Sequence, residues 1–176
     1  LPNSFDGVKI IQFSDLHYGT TIFISDIKNM VNEINARTPD IVVFTGDLID
    51  SKYNLKTDEQ EIIIDELNRI NASLGKYAIS GEEDEDQFFT IMKQSNFEII
   101  NNSYELIYKD GNIPIILIGL DSSIAGKSNI NSAFRYYLEP NHNSNLFSIT
   151  ILHEPDTIDN LLNKYSSDLI LAGHSH

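Results

Sequence analysis

The chain reads as an α/β protein that takes on α+β character in its second half, and three observations predict this. Short apolar runs rich in β-branched residues, at 8–13, 40–44 and 76–80, alternate with stretches of helical periodicity at 24–37 and 57–70, the rhythm of β-α-β units. From residue 97 onward strand-like runs follow one another directly. The composition, 41% hydrophobic and 22% charged over 176 residues, is that of one ordinary globular domain spanning 1–176.

Taken in order, residues 8–13 (VKIIQF) form the first strand, and 24–37 form a helix with Ser25 as its cap. Residues 40–44 (DIVVF), entered through Pro39, are the second strand. A helix over 57–70 carries Asp58 and Glu59 in its first turn, where acidic groups suit the helix dipole. Residues 76–80 are the third strand and 87–94 lie in a third helix. The runs 97–100, 104–109 and 113–120 read as successive antiparallel strands, joined by Asn101-Asn102-Ser103 and Asp110-Gly111-Asn112 turns. A short helix over 129–138, a strong strand over 147–152, a helix over 156–165 and a last strand over 168–172 complete the chain. The runs 8–13, 41–44, 147–152 and 169–171 are nearly continuous in apolar residues, which predicts central strands covered on both faces. Residues 141–145, with His142, read as a polar loop.

Composition excludes several classes. Twelve basic against twenty-six acidic residues give a net charge of −14, which repels nucleic acid and anionic surfaces, so no nucleic-acid partner is expected. With no cysteine there is no disulfide, no thiolate metal site and no cysteine nucleophile. Any metal must be held by His, Asp, Glu or Asn. No run approaches the ~20 apolar residues of a membrane span, and Leu1-Pro2-Asn3-Ser4 lacks the pattern of a signal peptide. The expectation is a soluble chain whose oligomeric state the residues leave open.

Chemistry emerges at the strand ends. Asp15-Leu16-His17 follows the first strand, Gly46-Asp47 the second, Gly81-Glu82-Glu83-Asp84 the third, His153 the strand over 147–152, and Gly173-His174-Ser175-His176 the last. In an open α/β sheet the carboxyl ends of the strands face one crevice. Four of the five histidines fall in this set. Each piece alone has a plainer reading: a capping Asp, a β-turn, a buried imidazole, or an acidic run opening a helix. Together, hard carboxylates and imidazoles without thiolates suit a cluster of Mn, Fe or Zn.

This set, in this order, resembles the calcineurin-like metallophosphoesterase superfamily, and the opening SFDGVKIIQFSDLHYG is similar to its membrane-associated bacterial branch. The resemblance implies a two-layer mixed β-sandwich flanked by helices, with two divalent ions (Mn, Fe or Zn) at one edge. It implies that Asp15, His17 and His176 hold the first ion, that Asp47 bridges both, and that His153 and His174 hold the second. A hydroxide bridging the ions would then hydrolyse a phosphomonoester or phosphodiester. It also implies membrane association through a segment outside these residues, and otherwise a cytoplasmic protein.

Two departures qualify the resemblance. Where the family pattern has Gly-Asn-His-Asp, this chain has Gly81-Glu82-Glu83-Asp84. The family's Asn is a ligand of the second ion, and its His steadies the phosphate and protonates the leaving oxygen. Glu82 retains a donor suited to a dication, whereas Glu83 beside two dications makes a poor acid. Glu83 and Asp84 join Asp47 as candidate catalytic groups, and Glu82 joins the candidate ligands. The second departure is that His176 is the last residue, whereas the family continues with further strands. Two readings stay open: a phosphoesterase with altered acid catalysis, or a catalytically attenuated domain of the same fold that binds metal as a scaffold.

Overall fold

Alternation along the strands builds the layers. In the computed structural model, which describes residues 1–175, β2 (Ile41–Phe44) turns Ile41 and Val43 to one side and Val42 and Phe44 to the other, all four buried. β2 lies between β1 (Ile10–Phe13) and β3 (Lys76–Ala78), and β4 (Glu98–Ile99) pairs with β3. The sheet is parallel throughout, so its connections must cross over, and helices make them: α1 (Ile24–Ala36), α2 (Thr57–Asn68) and α3 (Asp86–Gln94). Their apolar stripes, including Val31, Ile63 and Ile91, pack on Val42 and Phe44.

The second sheet orders β5 (Ser103–Ile107), β6 (Ile115–Gly119), β7 (Ser148–Leu152) and β8 (Leu169–Ala172). Only β5 and β6 pair antiparallel. Leu117, Ile149 and Ile151 meet Ile41, Val43 and Ile79 in a core between the two sheets. Ile116, Ile118 and Leu152 turn the other way, towards Phe134 and Leu161, in and beside the short helices α4 (Ile130–Ala133) and α5 (Ile158–Leu162). The result is helices, sheet, sheet, helices: a two-layer mixed β-sandwich flanked by helices. Among the described residues no helix is long and apolar enough to cross a membrane.

Several expectations from the sequence need correction. Residues 97–100 do not start an antiparallel meander. β4 pairs parallel with β3, and Asn101-Asn102 carries the chain from the first sheet into the second, with Asn102 at φ 49°. Asn101 anchors this crossing, its Oδ1 accepting the Ser80 N–H and its Nδ2 donating to Ser80 Oγ. Ser25 lies inside α1 and does not cap it; Asp26 does, its carboxylate accepting the Phe23 N–H at 3.0 Å. The segment over 129–138 is one α-turn capped by Asn129, followed by 3₁₀ helix.

The runs over 8–13 and 169–171 are not central. Within the described residues β1 and β8 each have one strand partner and are only partly buried, whereas β2, β6 and β7 are buried throughout. Both are apolar because both faces pack: Ile11 and Phe13 join the helix-side core while Ile10 joins the core between the sheets. The two strands adjoin across the sandwich. Gln12, the polar residue of β1, donates from Nε2 to Thr45 Oγ1 at 2.9 Å and to the Ala172 carbonyl at 2.8 Å. That clasp brings the carboxyl ends of both sheets to one edge.

Candidate metal centre

Beyond their last strand residues β1 and β2 stay laced together. Asp15 N–H donates to Gly46 O at 2.9 Å, and His17 N–H to Asp47 O at 3.2 Å. Asp15, His17, Asp47 and His174 all have positive φ, 54°, 41°, 60° and 67°. This backbone region is disfavoured for side-chain-bearing residues and clusters at functional sites. Two glycines make the close approach feasible. A Cβ on Gly46, at φ 104°, would fall 2.5 Å from His153 Nδ1, and one on Gly81 would fall 2.2 Å from Asp47 Oδ1.

Five strand ends thereby converge. His153 Nε2 lies 3.2 Å from Asp47 Oδ2, 2.7 Å from Glu82 Oε2 and 3.9 Å from Asp15 Oδ1. His174 Nδ1 lies 2.8 Å from Glu82 Oε1, and the His174 backbone N–H donates to both oxygens of Asp15 at 3.0 Å. His17 Nε2 is 3.8 Å from Asp47 Oδ2. Donor atoms within 4.8 Å of one another form two adjacent groups able to hold a cation: Asp15, His17 and Asp47, and Glu82, His153 and His174. A third such group joins His17 to Asp50 and Glu83. His176 lies outside the described residues. His142 is remote in its contacts, with Nδ1 on the Glu139 carbonyl and its ring against Tyr136 and Tyr137.

Charge is concentrated at the centre and balanced locally. Burial works against charge on His153, but the Asp47 carboxylate 3.2 Å from Nε2, the Thr45 carbonyl on Nδ1 and the charge of Glu82 lift it to about 9. Burial likewise opposes ionisation of Asp47, and His153 together with the Glu83 N–H outweighs it and lowers the carboxyl. Asp84, 2% exposed, spends its carboxylate on three backbone amides: Asp47 N–H at 2.8 Å, Leu48 N–H at 2.9 Å and Gly81 N–H at 2.9 Å. Burial pushes Asp84 up to about 6 against the Gly81 and Leu48 bonds, helped by the charge of Asp47. Glu83 accepts the Ser51 N–H at 3.0 Å on Oε2, which also lies 3.4 Å from His17 Nδ1.

The donor set fits divalent cations. His153 Nε2 and Glu82 Oε2 are buried, face each other and make no hydrogen bond, a costly arrangement unless a cation compensates it. Carboxylate oxygens and imidazoles without thiolates match Mn, Fe or Zn. Two participants escaped the sequence reading. The Thr45 carbonyl that holds His153 Nδ1 is a backbone atom and leaves no residue-type signal. Asp50, opposite Glu83, was detectable as a second acid three residues after Asp47.

A family model described as calcineurin-like phosphoesterase matches residues 8–176. The chain belongs to that family. Calcineurin-like phosphoesterases are metallophosphoesterases, which makes divalent ions part of the family's chemistry and phosphate esters its substrates. An uncharacterized metallophosphoesterase of Bacillus subtilis, YkuE, is 31% identical over all of this chain and 60% of its own length. A transmembrane protein with metallophosphoesterase domain from Danio rerio is 26% identical, matching 42% of its length. The UDP-2,3-diacylglucosamine pyrophosphatase LpxG of Chlamydia muridarum is 25% identical, matching 66% of its length. The chain thus spans between two-fifths and two-thirds of these relatives while being matched in full itself.

Proposed function

We propose that this domain hydrolyses phosphate esters with two divalent ions, one held by Asp15, His17 and Asp47 and the other by Asp47, Glu82, His153 and His174. His176 joins the first set by resemblance alone. The observation that carries the reading is the buried, unbonded pair of His153 Nε2 and Glu82 Oε2 beside Asp47. When bound, the ions supply an activated water and stabilise phosphoryl charge. The chain supplies the rest. Asp84 acts through the backbone, its carboxylate holding the loops after β2 and β3 at their working separation.

Glu82 and Glu83 shape which esters are cleaved. Both place negative charge near an anionic substrate, and Glu83 uses its carboxylate as an acceptor for Ser51, opposing its use as a proton donor. Leaving groups that depart without a proton are therefore favoured. The pyrophosphatase named among the relatives supports including phosphoric anhydrides in the substrate class, and a relative named as a transmembrane protein supports a substrate met at a membrane surface. A second reading, a metal-binding scaffold without turnover, is favoured by the same engagement of Glu83.

Protein purified without chelator and supplied with Mn is the test, with metal content, bis-nitrophenyl phosphate and an alkyl phosphodiester as readouts. The expected result is two ions per chain, cleavage of the nitrophenyl ester, and alkyl ester turnover lower by ~10²-fold or more, the usual cost of lacking a positioned acid. Two bound ions with no hydrolysis of either ester would establish the scaffold. A chain that binds no ion would sink both readings.

A further inference from the structure

The His17 ring lies between two carboxylates. Its Nε2 points to the centre, 3.8 Å from Asp47 Oδ2, and its Nδ1 points outward, 3.4 Å from Glu83 Oε2. The Glu83 carboxylate is not a loose surface group. Its backbone N–H donates to Asp47 Oδ1 at 3.0 Å, and its Oε2 accepts the Ser51 N–H at 3.0 Å, so the residue is fixed at main chain and side chain to the loop after β2. Swinging it into the centre would break the Ser51 bond. In a neutral imidazole one nitrogen carries the proton and the other is bare, and the partner of the first decides which.

We propose that Glu83 is a positioning residue that holds His17 as the Nδ1–H tautomer, leaving Nε2 bare and aimed at the ion shared with Asp15 and Asp47. A carboxylate behind a ligating histidine fixes the ring and raises its basicity, and losing such a partner typically weakens metal binding ~10- to 100-fold. Glu83 also ties His17 to Asp47 through its own N–H, so ring and carboxylate approach the ion as one unit. The inference rests on the metal-centre reading above, but it concerns the resting geometry of His17 and is testable without turnover.

The experiment pairs ring ¹⁵N shifts of His17 in metal-free protein with Mn titration of wild type, Glu83→Ala and Glu83→Gln. The wild type should show the Nδ1–H tautomer. Glu83→Ala should shift the population towards Nε2–H and weaken the first ion ~10- to 100-fold. Glu83→Gln, whose amide oxygen still accepts Nδ1–H, should stay within a few-fold of wild type. An unchanged tautomer and affinity in Glu83→Ala would overturn the proposal. So would Gln behaving like Ala, which would make charge and not the acceptor decisive, or a third ion lost on substitution, which would make Glu83 a ligand. If Glu83→Ala fails to fold, the wild-type tautomer and Glu83→Gln decide. If wild type binds no ion at all, the metal-centre reading falls, while the tautomer still decides this inference.

Discussion

Asp47 donates its backbone N–H to the buried carboxylate of Asp84 at 2.8 Å, so the residue at the middle of the centre is placed through its main chain by the side chain of a second acid. The same carboxylate takes the N–H groups of Leu48 and Gly81. One buried anion thus sets the distance between the loops after β2 and β3.

Replacing Asp84 should therefore cost stability and metal binding together. Asp84→Ala strands three buried amide donors, and Asp84→Asn turns an N–H₂ group on at least one of them. Each should lose about 2–4 kcal/mol in urea unfolding. A loss under ~0.5 kcal/mol for both would mean that the loops hold without this anchor.

Asp47 and Glu82 should differ in what they remove. Asp47 touches both donor groups, whereas Glu82 lies with His153 and His174 only. Asp47→Ala is expected to abolish both bound ions and Glu82→Ala only one, as counted by elemental analysis after gel filtration. Loss of both ions in Glu82→Ala would show that the two groups fill as one unit.

His153 gives a pH signature in the metal-free protein. Its folded value, about 9, lies above the ordinary 6.5, so its stabilising contribution is complete below 6.5 and is lost as pH rises through about 9. A cation must displace that proton, so metal affinity should climb with pH and level off above about 9. Thermal melts of chelated wild type against His153→Ala, from pH 6 to 10, check the first part. Parallel curves for the two proteins would refute it.

Val43 tests the core between the sheets. It is fully buried on β2, opposite the second sheet's apolar face. Val43→Asp places an unpaired carboxylate there and should unfold the domain, with a loss above ~4 kcal/mol read by circular dichroism. A folded variant with a modest drop in melting temperature would mean that the sheets part locally to admit water.

Much of this protein is legible along the chain because the relevant forces are local. The alternation of Ile41, Val42, Val43 and Phe44 assigns faces wherever the strand sits, and the helical stripes of α1 and α2 follow from periodicity alone. Strand-end placement likewise groups Asp15, His17, Asp47, Glu82, His153 and His174 along the sequence, since parallel strands aim their carboxyl ends one way. Tertiary structure decided the rest. The apolar runs of β1 and β8 could not reveal that each has one strand partner among the described residues, because side chains report what covers a face and not whether a backbone has one partner or two. The same holds for the acidic run: Glu82 faces His153, Glu83 faces His17 and Asp84 captures three amides, though all three are neighbouring carboxylates. Their roles diverge because an ion or a hydrogen bond depends on distance in space, and successive side chains leave a turn in different directions towards groups tens of residues away.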